Sequence, residues 1–221
     1  AEKEQMVRDG KLKKRDIAND SIIYKGDDNC YYEKLNNLSE IKIETEVTLP
    51  QNWELCRLNT IALINPKNNI DDNMDVGFIP MDHIEQGYQT KYRFQTKKWK
   101  DIKKGYTHFA KNDIIVAKIS PCFENRKSAI LNVLPNMYGA GTTELYVIRV
   151  SNKYIYNKYI LWLLKSNYFI KQGYNSYTGT VGQQRISKDL IPNLLIPLPS
   201  YNEQLRIVKC ITNAKKLLDE I

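Results

Sequence analysis

The sequence predicts an α+β (mixed α/β) fold, and three observations carry that expectation. First, five short runs, at 76–79, 112–119, 127–134, 144–150 and 194–196, are rich in apolar and β-branched residues and bounded by turn formers. They are too short for packed helices and read as strands. Second, the run 154–168 has a helical period, with Ile155, Tyr159, Trp162 and Leu163 on one face and Lys158 and Lys165 off it; 166–172 continues it after a kink. Third, Ser200 stands three residues before Glu203, in the form of a capping box that opens a last helix. The apolar residues Ile207, Ile211, Ala214, Leu218 and Ile221 then recur at steps of four, three, four and three. That is the period of a coiled-coil seam, with Leu217 widening it.

Taken in order, the chain opens on a charged stretch. Residues 1–49 scatter a few apolar residues among nearly balanced charges and read as a linker or extension; the basic cluster 11–15 reads as a solvated linker, with a localisation tag or a phosphate clamp as the alternatives. Trp53, Leu55, Leu58 and Ile61 begin the core, so a folded domain is expected over 50–199 and the start of a last helix over 200–221. Residues 65–69 are turn chemistry and 71–75 a polar loop. The basic and aromatic stretch 85–111 shows little periodicity, and a long stretch without clear elements is more often functional than idle. Residues 120–125 form a loop, and Gly139-Ala140-Gly141 interrupts the chain before the strand at 144.

The charge is concentrated. The net charge is +8, and residues 91–127 hold eleven Lys/Arg against three acids, so the rest of the chain is neutral. Such a block favours a polyanion, because each neutralised phosphate releases condensed counterions; a solvated lysine-rich face is the alternative. The four cysteines form no C-x-x-C pair, and with two histidines a Cys/His zinc site is not expected. They read as reduced thiols of a cytoplasmic protein. No apolar run reaches the roughly 18–20 residues that span a bilayer, and no signal-peptide core follows the charged start.

Active-site constellations fail on chemistry. A D…(D/E)-x-K nuclease pattern is outlined by Asp113 and Lys118, but position 116 is Val, so the second metal ligand is missing. Asn65-Pro66 and Gly139-Ala140-Gly141 are turns, not the paired motifs of an amino methyltransferase. No G-x-x-x-x-G-K-[ST] loop is present. His83 and His108 read as surface or loop histidines. The chain is expected to be non-catalytic and to bind no metal or cofactor.

Several segments fall in the order of a known family. The run 196–207, IPLPSYNEQLRI, resembles the IPLPPxxEQxxI segment that closes the target-recognition domain of type I restriction–modification specificity subunits, with Ser200 in place of the second proline. The run from Leu49 to Leu58 resembles its LPxxWxxxxL opening segment, and FIPMDHI, DIIVAKISP, TTELYVIRV and TGTVGQQRIS follow in family order. EKEQMVRDGKLKK resembles the end of the central helical region, so the chain looks like the second half of a two-domain subunit or a single-domain version. The resemblance implies a target-recognition domain with a curved, largely antiparallel sheet plus helices, then a C-terminal coiled-coil-type helix. It implies duplex DNA as ligand, and a methyltransferase subunit and, through the complex, a restriction subunit as partners, with S-adenosylmethionine, Mg and ATP on those partners only. The last helix would pair with another helix, self-association included, or pack back on its own domain. A fused type II restriction–modification enzyme, an RNA-binding module and a self-sufficient nuclease are the alternatives.

Readout of bases needs paired donors and acceptors, Arg for guanine and Asn or Gln for adenine, whereas Lys, Ser and Thr contacts to phosphate set position. The 178–185 loop has that mix: Thr178, Thr180, Gln183, Gln184 and Arg185, with Gly179 and Gly182 allowing close backbone approach and Tyr177 beside it for stacking. An ordinary polar loop whose arginine caps a neighbouring helix is the bland alternative. The second candidate patch is Lys97, Lys98, Lys100, Lys103 and Lys104, read as phosphate contacts; the third is the 120–127 loop with Arg126 and Lys127. Arg185→Ala is expected to cost roughly 1–3 kcal/mol on the cognate duplex and little on random DNA. Equal losses on both duplexes, measured by titration, would reduce Arg185 to a positioning residue.

Overall fold

The structure, a computed structural model, describes residues 8, 21–35, 40–44, 48–150, 152–180 and 183–219. Thirteen strands and six helices follow one another: β1 (Ser21–Lys25), β2 (Tyr31–Leu35), β3 (Glu40–Ile43), β4 (Glu54–Arg57), α1 (Leu58–Ile61), β5 (Ala62–Ile64), β6 (Asp75–Ile79), β7 (Gln95–Lys98), α2 (Trp99–Ile102), β8 (Thr107–Ala110), β9 (Ile114–Ala117), β10 (Ser128–Ile130), β11 (Tyr138–Gly141), β12 (Leu145–Val150), α3 (Asn157–Leu164), α4 (Asn167–Asn175), α5 (Leu190–Asn193), β13 (Leu195–Leu198) and α6 (Tyr201–Asp219), all counted among the described residues. The α+β expectation holds, and among the described sheet pairings β6–β11 alone is parallel.

The chain divides into two compact units. The first takes Ala1–Thr60 together with Asn193–Ser200. In it β1, β2 and β3 form an antiparallel meander, and β13 pairs antiparallel with β4, Leu198 opposite Glu54 and Leu195 opposite Arg57. The Pro-x-Pro segment therefore lies in a two-stranded sheet, where a proline removes no central ladder bond. Arg57 grips Glu33 through Nε and Nη2 at 3.0 and 2.6 Å and donates from Nη1 to Asn193 O at 2.6 Å. That grip holds the Glu33 carboxyl below its ordinary range.

The second unit takes Ile61–Pro192 and Tyr201–Ile221. It contains two four-stranded sheets, ordered β10-β9-β12-β5 and β7-β6-β11-β8. All four residues of β9 are buried, as are the first four of β12, so both strands are covered on both faces. Ile115 of β9 and Leu145 and Val147 of β12 join one apolar cluster with Ile79, Ile84, Phe109, Ala129 and Leu131. A second cluster gathers Val76, Trp99, Ile102 and Ala140.

Three expectations change here. The stretch 85–111 is ordered: β7 is an edge strand with an exposed, lysine-rich surface, and α2 is one turn anchored by buried Trp99 and Ile102, both too short to leave a period. Gly139-Ala140-Gly141 is not an interruption but strand β11. A Cβ on Gly139 would stand 2.3 Å from Gly77 O and from the Phe109 ring, so glycine is what lets β11 pair with β6 at that point. The helical face at 154–168 is also rotated. Tyr159, Ile160, Leu161 and Leu164 are the buried residues of α3, the helix stops before Lys165, and Lys165 itself is buried.

Asp113 and His108 belong to one polar network. Arg149 on β12 donates from Nε and Nη2 to the two Asp113 oxygens at 2.8 Å each, and Ala110 N–H donates to Asp113 at 2.7 Å. Arg149 also donates to Asn68 Oδ1, while Asn68 N–H donates to His108 Nδ1 and His108 Nε2–H to Lys103 O at 2.8 Å. His108 is therefore a buried core residue rather than a loop histidine, and burial pushes its pKa down. Removing Arg149 would leave a buried carboxylate uncompensated. Arg149→Met is expected to lower unfolding stability by about 3–5 kcal/mol, read from the urea midpoint; a loss below about 1 kcal/mol would contradict that role.

Candidate nucleic-acid interface

The 178–185 loop is short because its two ends are tied to each other. Thr178 and Arg185 form an antiparallel bridge, each amide donating to the other's carbonyl at 2.9 Å, and Gln183 N–H donates to Thr180 O at 3.0 Å. Gly179 has φ of 99°, which a residue with a Cβ rarely adopts. The loop is also stitched sideways to the sheet. Ser120 N–H donates to Gln184 O at 2.9 Å, Ile186 N–H to Lys118 O at 3.0 Å, and Lys118 N–H to Glu144 O at 2.9 Å. These residues lie just past β9 and just before β12, so the described C-terminal end of the loop is tied to two buried strands.

Arg185 is held rather than loose. Its Nε and Nη2 donate to the two oxygens of Glu144 at 2.9 and 2.8 Å, and Nη1 donates to Gln183 O at 3.1 Å. Arg185 in turn holds the Glu144 carboxyl below its ordinary range. The arginine therefore buttresses against a carboxylate instead of capping a helix, and its side chain stays 42% exposed. Sequence reading missed Glu144: it is 41 positions from Arg185, and no local pattern marks an acid that opens a buried strand.

Around it, Thr178, Thr180 and Gln183 are exposed and Gln184 is half-buried. The Tyr177 ring packs edge-on against Phe123 and Tyr174, so it is set into the protein. Burial and then the neighbouring Glu124 carboxylate push its phenol up. The Tyr177–Phe123 contact and the Ser120–Gln184 bond bring the 120–127 and 178–185 loops together. Within the former, Arg126 donates from Nε to Lys165 O at 2.9 Å and from Nη2 to Asn167 Oδ1 at 2.5 Å, and its guanidinium lies over the Tyr88 ring. Lys127 donates to Met81 O at 3.1 Å. Both cations are thus half-buried anchors of their loop.

The lysine patch lies elsewhere, on β7, α2 and the turn that follows. Among the described residues it makes no hydrogen bond, ion pair or ring contact with either loop. Lys98 pairs with Asp75 at 3.0 Å and Lys103 with Asp72 at 2.6 Å, while Lys97 lies over the Phe78 ring at 4.1 Å. Lys100 and Lys104 are exposed and unpaired among the described residues.

The α6 seam is divided. Gln204 and Val208 are buried, and Ile207 and Ile211 are half-buried, because the first half packs on α3: Tyr156 N–H donates to Gln204 Oε1 at 2.8 Å and Gln204 Nε2 to Tyr154 O at 3.1 Å. Ala214 and Leu218 are exposed, Leu218 at 73% and the neighbouring Leu217 at 65%. Ile221 lies outside the described residues. No helix among the described residues is long and apolar enough to cross a membrane.

The description that matches this arrangement is the type I restriction modification DNA specificity domain, whose family model covers residues 50–221. The chain belongs to this family. Along its whole length it is 41% identical to the specificity subunit of the type I restriction enzyme EcoAI and 37% identical to that of EcoEI, both from Escherichia coli. It spans 34% of each, about a third of their length. The fold is similar to the crystal structure of the HsdS subunit from Thermoanaerobacter tengcongensis, with a TM-score of 0.65 at 19% identity over 79% of this chain and 45% of that one. The specificity domain so delimited contains all three candidate patches and the last helix.

Lys165 ties the 120–127 loop of this specificity domain to the turn at Gly87. Its Nζ donates to Arg126 O at 2.8 Å and Gly87 O at 3.0 Å, and burial, with Lys215 and Arg126 nearby, pushes its pKa down to about 7 from 10.5. Between those two values the unfolded chain holds a proton that the folded chain does not. Stability from this group therefore rises as pH increases from 7 towards 10.5 and is flat below 7. Relative to Lys165→Met, the wild-type chain is expected to gain stability between pH 7 and pH 9 in denaturant titrations; a pH-independent difference would contradict a buried, deprotonating lysine.

Proposed function

We propose that this chain is the DNA target-recognition domain of a type I specificity subunit, acting in the cytoplasm. Residues 50–199 would read one half of a bipartite site, residues 1–49 would link to the rest of the subunit, and the helix from 200 would hold the domain to its partners. The observation that carries this reading is the family match over 50–221 together with similarity along the whole chain to two specificity subunits. The chain itself would be non-catalytic: a separate methyltransferase, and through it a restriction subunit, would be positioned on the DNA and would carry S-adenosylmethionine, Mg and ATP. Since Ile207 and Ile211 are engaged by their own unit, the partner face of the helix, for another helix or a second copy, would centre on Leu217 and Leu218.

The local geometry supports a division between positioning and reading. Lys100 and Lys104 offer uncommitted charge for phosphates, whereas Lys98 and Lys103 are already neutralised by aspartates. The 178–185 loop, with Thr178, Thr180, Gln183, Gln184 and Arg185, is the reading element. In the assembled enzyme, replacing Lys100 and Lys104 together by Ala is expected to weaken binding to all duplexes alike and to flatten the log–log salt dependence by about two units. Lys98→Ala and Lys103→Ala should flatten it less. An unchanged slope for the double variant would overturn the phosphate role, and single-stranded RNA competing as well as duplex DNA would overturn the DNA reading itself.

A further inference from the structure

We propose that Glu144 is a specificity-determining positioning residue: it orients the Arg185 guanidinium so that the two N–H groups left over face a guanine edge. The inference rests on the reading above that the 178–185 loop contacts bases. A guanidinium has five N–H donors in one plane. In Arg185 three are used, Nε–H and one Nη2–H by Glu144 and one Nη1–H by Gln183 O. One N–H remains on each terminal nitrogen, and two is the number that guanine O6 and N7 accept.

Both anchors of the guanidinium are themselves fixed. Glu144 is held next to β12 by its carbonyl, which accepts from Lys118 N–H, and Gln183 by its own N–H to Thr180 O. Two points define the plane and rotation of the group, so little rotamer freedom remains to be lost when a base arrives. A carboxylate beside the arginine also offsets its charge, which lowers its attraction for phosphate more than its capacity to donate to neutral base acceptors. The pair thus favours base readout over backbone binding, a selectivity that an unpaired arginine in the same loop would lack.

The test uses the assembled enzyme with two duplexes, one carrying the site found by mapping methylated bases and one with that site scrambled, and four proteins: wild type, Glu144→Gln, Arg185→Ala and the double variant. Glu144→Gln keeps the shape but loses the charge and one acceptor. It is expected to lose about tenfold or more in affinity for the cognate duplex, to bind the scrambled duplex equally or more tightly, and to keep or steepen the salt slope, because the arginine charge is no longer offset. In the Arg185→Ala background the same change should have no effect on cognate binding, because Glu144 acts through Arg185. Equal losses on both duplexes for Glu144→Gln, with a lowered melting temperature, would mean a structural clamp only and overturn the proposal. Cognate-specific loss for Arg185→Ala but none for Glu144→Gln would overturn it while sparing base reading. Equal losses on both duplexes for Arg185→Ala would remove the base reading on which it stands.

Discussion

Two backbone hydrogen bonds, Ser120 N–H to Gln184 O and Ile186 N–H to Lys118 O, fasten the C-terminal end of the 178–185 loop to the end of β9, which Lys118 N–H to Glu144 O joins to the start of β12. A glycine-containing polar loop on its own would sample many conformations, and ordering it on DNA would cost roughly 1–2 kcal/mol per residue in backbone entropy. Here the described ends of the loop are held to each other and to the end of β9, a strand buried on both faces. The Glu144–Arg185 pair and the contact between the 120–127 and 178–185 loops all depend on this attachment.

The polar interior of the second unit follows from the same constraint. Two basic residues, half-buried Arg149 and buried Lys165, join segments far apart in sequence through hydrogen bonds. Arg149 ties β12 to Asp113 at the start of β9, while Lys165 and Arg126 exchange bonds to each other's carbonyls at the end of α3. Such groups are strongly destabilising when one partner is removed, which makes the scaffold under the loops intolerant of partial change while exposed loop residues are freer to vary.

Much of the fold was legible in the sequence because strands 6, 9, 12 and 13 carry dense apolar runs between turn formers, and because Ser200 and Glu203 frame the start of α6 at Tyr201. What escaped detection was structure set by distant partners. β7 and α2 are too short to show a period, β11 is a strand only because glycines allow close backbone approach to β6, and Lys165 is buried only because two carbonyls meet its amine. The site was legible to the same degree. The 178–185 loop stood out by composition, but Glu144 did not, and neither did the pairing that separates Lys98 and Lys103 from Lys100 and Lys104. The seam of the last helix was read as one interface, yet a helix docked along its first half divides it, leaving Ala214, Leu217 and Leu218 outward.

In the proposed reading the domain connects two tasks: an exposed loop would meet DNA, and the helix that follows β13 in sequence would meet the partners. The most direct measurement is a map of methylated bases in cells whose only specificity subunit contains this chain, before and after residues 50–199 are exchanged for the matching segment of the EcoAI relative. With the complex intact, the expected result is a change in one half of the bipartite motif and none in the other. A motif unaltered by the exchange would contradict the assignment of target recognition to these residues.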